Sequence, residues 1–113
     1  MPYLHIATTE SIAALGELRE EIAALMPILP TKNRENTMIH IVPDSFMAMG
    51  DADQPCIFVD LRLYGPSPLA AKQDFTAKLC ALLHERLGIA SNRMYMNVIE
   101  LESWGAGGAL KTL

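Results

Sequence analysis

The chain carries one order of signals twice, and that duplication limits its architecture more than any other feature. Each half reads as a short strand, an amphipathic helix and a second short strand. In the first half, residues 2–7 form a strand and Thr8 and Thr9 turn the chain. Ile12, Leu15, Leu18, Ile22 and Leu25 then recur at helical spacing, with Glu and Arg between them. Ser11 is the expected N-cap, and Pro27, which has no N–H to donate, is expected to close the helix. A polar loop over 31–36 leads to a strand at 37–42, stopped by Pro43 and Asp44. In the second half, residues 56–64 alternate: Ile57, Val59, Leu61 and Leu63 point one way, Phe58, Asp60 and Arg62 the other. Gly65 and Pro66 turn the chain, and Ser67-Pro68 reads as a cap followed by a proline in the first helical turn. Phe75, Leu79, Leu82, Leu83 and Leu87 make the buried stripe, with Gly88 as the residue that ends it. Residues 94–101 are a strand, and the Gly-rich tail adds a short ribbon.

A strand–helix–strand unit pairs its two strands in parallel. The expected fold is therefore α/β (α+β): two pseudo-symmetric βαβ units, a four-stranded mixed sheet, and two helices on one face, in a single domain spanning 1–113. Two helices leave the other face of the sheet uncovered. That face would carry His40, Phe58, Asp60, Arg62, Tyr95 and Asn97, and it is either wet or closed by partner subunits.

With 113 residues there is room for one core, and a composition half apolar and 19% charged predicts a folded globule. A net charge of −4 gives no basic footprint for nucleic acid. No apolar run reaches the roughly 20 residues needed to cross a bilayer. The opening Met1-Pro2-Tyr3-Leu4-His5-Ile6 lacks a basic leader and a cleavable apolar stretch. The expected location is the cytosol; release without a signal peptide is left open. Cys56 and Cys80 do not form a Cys-x-x-Cys pair and read as small buried thiols. His5, His40 and His84 lie on three elements without ligand spacing, which predicts no metal site.

Several blocks, in order, resemble the tautomerase superfamily, in particular its macrophage migration inhibitory factor and D-dopachrome tautomerase branch. They are Met1-Pro2, Lys32, His40-Ile41-Val42-Pro43-Asp44, Met47-Ala48-Met49-Gly50 and Pro55-Cys56. The run from Leu79 to Ile89 and Asn92-Arg93-Met94-Tyr95-Met96-Asn97 complete the set. The resemblance implies a homotrimer whose sheets form a barrel, with active sites between neighbouring subunits. It implies keto–enol tautomerisation of α-keto acids such as phenylpyruvate, without metal or cofactor; some members act as extracellular cytokines. By that resemblance Pro2, freed by removal of Met1, is the catalytic base, and Lys32 grips the substrate carboxylate. Tyr64 offers its backbone N–H to the substrate, and Tyr95 and Asn97 come from the adjacent subunit. Chemically this is coherent. A terminal amine has an ordinary pKa near 8; burial beside a cation lowers it, and a base poised near neutrality can move a proton next to a carbonyl.

The sequence departs from the family in three places. Asn36 stands where relatives have a tyrosine. The segment 102–108 resembles the family's Trp-Gly-Trp-Asn-Gly pattern only with a short gap, with Trp104 present and Ala106 where a second aromatic is common. Val59 breaks the Cys-x-x-Cys run that some relatives carry from the position of Cys56, so thiol chemistry is not implied. The thinner aromatic rim should weaken the grip on an aromatic ring by roughly 1–3 kcal/mol, which points to a phenylpyruvate-like or smaller keto acid. The alternative is a non-catalytic, cytokine-like binding protein of the same fold that engages a protein receptor.

Overall fold

The computed structural model describes residues 1–50 and 53–113. It contains strands β1 (Pro2–Thr8), β2 (Met38–Val42), β3 (Ile57–Tyr64) and β4 (Met94–Leu101), helices α1 (Leu15–Ala23) and α2 (Leu69–Leu87), and a terminal hairpin of β5 (Ser103–Ala106) and β6 (Ala109–Thr112). The sheet order is β2-β1-β3-β4. β1 runs parallel to β2 and β3 parallel to β4, while the two halves meet through the antiparallel β1–β3 pair. The two βαβ units and the mixed sheet are therefore present.

Alternation builds one core from these strands. Leu4 and Ile6 of β1 and Val59, Leu61 and Leu63 of β3 lie at no more than 1% exposure, facing Leu18, Ile22, Phe75, Leu79 and Leu83 from the helices. Burying each such side chain contributes about 1.5–3 kcal/mol, which is what holds the helices to this face. The opposite face keeps Tyr3, His5, His40, Phe58, Asp60, Arg62, Tyr95 and Asn97, all partly or largely exposed.

The helix ends differ from expectation. α1 begins at Leu15, its N-cap is Ala14, and no side chain caps it. Ser11 instead donates its hydroxyl to the Asp44 carboxylate, tying the loop before α1 to the one after β2. Nor does Pro27 close α1. The helix stops at Ala23, and Pro27 sits in a separate 3-10 turn, Met26–Ile28, where an early position needs no N–H. At α2 the N-cap is Pro68 rather than Ser67, and the Ser67 hydroxyl is buried without a partner among the described residues. No side chain among the described residues caps α2; Glu100 of β4 instead ties its start to the sheet. Its carboxylate accepts the Ser67 backbone N–H and the Lys72 ammonium, the latter at 2.9 Å. A carboxylate at a helix N-terminus also meets the positive end of the helix dipole. Gly88 does end α2, in the left-handed conformation (φ +68°), with its N–H on the His84 carbonyl.

Candidate active site

The first residues of β1 lie at the end of the sheet where β3 finishes. Pro2 is buried and pairs with Leu63, so Tyr64 is the next step of β3 beyond it. Lys32 approaches from the loop after α1. Thr31 adopts left-handed backbone (φ +65°), which is costly for a β-branched residue, and the Lys32 N–H closes back on the Leu29 carbonyl. This bend directs the lysine to the sheet, where its ammonium donates to the Tyr64 carbonyl at 2.9 Å. With Met1 present, the Pro2 nitrogen is an amide and the terminal amine is that of Met1. That amine is held below its ordinary value, first by burial and then by the positive charges of Lys32 and Lys111.

A cleft of about 750 Å³ opens over this end of the sheet. Met1, Pro2 and Tyr3 form its floor, Met38 and Arg62 flank them on the neighbouring strands, and Trp104 closes it from the terminal hairpin. Asn36 and Ala106, the two thin places in the aromatic rim, also line it. Pro2, Lys32, the Tyr64 carbonyl and Trp104 thus gather at one end of the molecule.

Tyr95 and Asn97 are elsewhere. Tyr95 pairs with Phe58 and Asn97 with Asp60, and across β3 those partners face Ala7 and His5 of β1. At about 3.3 Å per residue, Asn97 is three residues and Tyr95 five from the Pro2 position, and both are two strands across. Tyr95, 61% exposed, lines a smaller hollow with Met49, Phe58 and Arg93.

Two residues of the cleft, Tyr3 and Arg62, and a cation that acts on the terminal amine, Lys111, escape a reading of the sequence as a site. Alternation puts Tyr3 and Arg62 on the open face, but only the strand register makes them neighbours. Lys111 reaches the amine because the tail folds back as a hairpin that pairs it with Trp104. The histidines divide. His5 and His40 meet edge to face with ring centroids 4.8 Å apart, and the Tyr3 hydroxyl hydrogen-bonds His40 Nδ1 at 2.9 Å. His84 lies apart and donates through Nδ1 to the Ile89 carbonyl. Among the described residues no three His, Cys, Asp or Glu side chains are arranged to hold a metal. Cys56 is buried, and burial pushes the Cys80 thiol above its ordinary range.

A duplicated βαβ sheet with a proline-floored cleft at the start of its first strand defines a small α+β protein of the tautomerase class of folds. The chain belongs to the macrophage migration inhibitory factor family, whose model matches residues 1–112. That family includes tautomerase activity and cytokine roles, and its members are typically oligomeric. A macrophage migration inhibitory factor from Xenopus laevis is 36% identical over 76 residues, covering 67% of this chain and 66% of that protein. A D-dopachrome decarboxylase-B, also from Xenopus laevis, is 24% identical over 95% of this chain and 92% of its own length. Among solved structures, the macrophage migration inhibitory factor of Trichinella spiralis superposes with a TM-score of 0.84 at 24% identity, over 96% of this chain and 99% of that one. Leishmania major MIF2 gives 0.83 at 17% identity, over 98% and 97%. At such identities these two establish the fold. No helix among the described residues is long and apolar enough to cross a membrane.

Proposed function

We propose that this chain is a cofactor-independent keto–enol tautomerase acting on an α-keto acid, with the Pro2 amine as acid and base once Met1 is removed. The observation that carries this reading is the position of Pro2: buried on the floor of the cleft, with Lys32 held against the adjoining Tyr64 carbonyl. Removing Met1 moves the terminal amine one residue inward. Burial and the same two lysines then act on a secondary amine and favour its unprotonated form. The free amine takes a proton from the carbon beside the keto group and the electron pair moves to the carbonyl oxygen. The same proton, or its equivalent, returns to oxygen, so substrate and product differ only in its place. Lys32 binds the carboxylate. The active assembly is a homotrimer in which a neighbouring subunit supplies Tyr95 and Asn97, which are too far from Pro2 in their own chain. The site of action is the cytosol.

The test pairs intact mass with kinetics. The processed chain should lack Met1 and ketonise enol forms of α-keto acids, and Pro2→Gly should lower kcat/KM by roughly 10²- to 10⁴-fold. Equal rates for Pro2→Gly and its parent would sink the proposal. A processed chain without turnover would favour the second reading, a receptor-binding protein of this fold, for which Asn36 and Ala106 on the rim speak.

A further inference from the structure

The lining of the cleft includes a cation, Arg62, for which the proposed proton transfer has no use. Arg62 is the register partner of Tyr3, the residue after Pro2. Lys32 is anchored at the Tyr64 carbonyl, two residues further along β3, or about 7 Å of strand. Pro2, opposite Leu63, therefore lies between a lysine on one side and an arginine on the other. Arg62 stands on the open face with its side chain 49% exposed, and its ion pair with Asp60 runs at 3.3 Å, the long end of hydrogen bonding. A guanidinium has five N–H donors in a planar fork that matches a carboxylate, so one long contact leaves most of that capacity for a ligand. The remaining walls point the same way. Asn36 and Ser103 are polar and Gly105 and Ala106 are small, while Met38 and Trp104 supply the apolar part of the lining.

We infer that the cleft selects α-keto acids bearing a second carboxylate, with Lys32 taking one acid group and Arg62 the other. This rests on the tautomerase reading of the same site and names its substrate class. A dianion placed between two cations is neutralised at both ends, and the reacting carbon lies over Pro2.

The experiment compares a diacid with the same skeleton carrying one charge fewer. Binding of maleate and of monomethyl maleate to the processed chain is measured by calorimetry. Ketonisation of enol-oxaloacetate and of its 4-methyl ester is followed in parallel, for the parent, Arg62→Gln and Arg62→Lys. The parent should favour the diacid about tenfold in both measurements, as expected for a charge-assisted bond. Arg62→Gln should bring the ratio close to one through KM, and Arg62→Lys, which keeps the charge but not the fork, should fall between. Equal binding of maleate and its ester by the parent, or an undiminished preference in Arg62→Gln, overturns the inference. Diacid preference in binding with no turnover of either enol leaves the selectivity standing and refutes the tautomerase reading alone.

Discussion

At the scale of single residues, the question is what disfavours the charged form of the terminal amine. For the amine of Met1, burial contributes most, Lys32 next and Lys111 least, and the same groups surround the Pro2 nitrogen that Met1 removal would free. A neighbouring cation destabilises the ammonium form, so removing it must raise the amine's pKa. In the proposed mechanism the rate depends on free amine, so the acid limb of kcat/KM should move to higher pH in Lys32→Met. Lys111→Gln should move it in the same direction by less. Lys32→Met should also lose roughly 10- to 100-fold in kcat/KM at the optimum, because the substrate carboxylate loses a charge-assisted partner. A pH–rate profile of the processed chain and both variants checks this. An unmoved limb in Lys32→Met, or a larger shift in Lys111→Gln, contradicts the assignment.

At the scale of elements, α2 is fastened to the sheet by an acid far away in sequence. Hydrogen bonds from Lys72 and the Ser67 N–H hold the Glu100 carboxyl below the usual glutamate range. Its folded pKa lies below its unfolded one, so the stabilisation is fully present above the unfolded value of about 4.3 and disappears as pH falls through the folded value. Glu100→Gln should therefore cost about 0.5–1 kcal/mol at pH 7, and the gap from the parent should close in more acidic buffer. Urea titrations at stepped pH read this directly, and equal midpoints at pH 7 would refute it. The same contact explains what could be read from the sequence. The strands were legible because Ile57, Val59, Leu61 and Leu63 state a period of two within eight residues. The helix starts were not, because Ser67 looks like a cap locally whereas the N-cap is Pro68 and the fastening comes from Glu100, a residue of β4. The site divides similarly. Pro2, Lys32 and Trp104 are visible through the family resemblance, but Arg62 enters the cleft only through the register of β1 on β3, which no local pattern encodes.

At the scale of the whole molecule, the uncovered face is too mixed to be an ordinary wet surface. His40, His5, Asp60 and Asn97 stand side by side across all four strands, while Met38, Phe58 and Tyr95 are exposed at 67%, 38% and 61%. One oxygen of Asp60 is buried without a partner among the described residues. A face of this kind fits closure by further copies of the chain, and sites shared between copies make a distinctive prediction. Pro2→Gly and Asn97→Ala should each be nearly inactive as pure proteins. Unfolded together in equal amounts and refolded, they form mixed rings. In such a ring, Pro2 of an Asn97→Ala chain can face Asn97 of a Pro2→Gly chain, which restores about one quarter of the sites. If the site lay within one chain, every site would carry a lesion and mixing would recover nothing. Recovered activity with sedimentation at the mass of three chains therefore supports the shared site, whereas silence in a correctly assembled mixture of two inactive variants would put Pro2 and Asn97 of each site in the same chain.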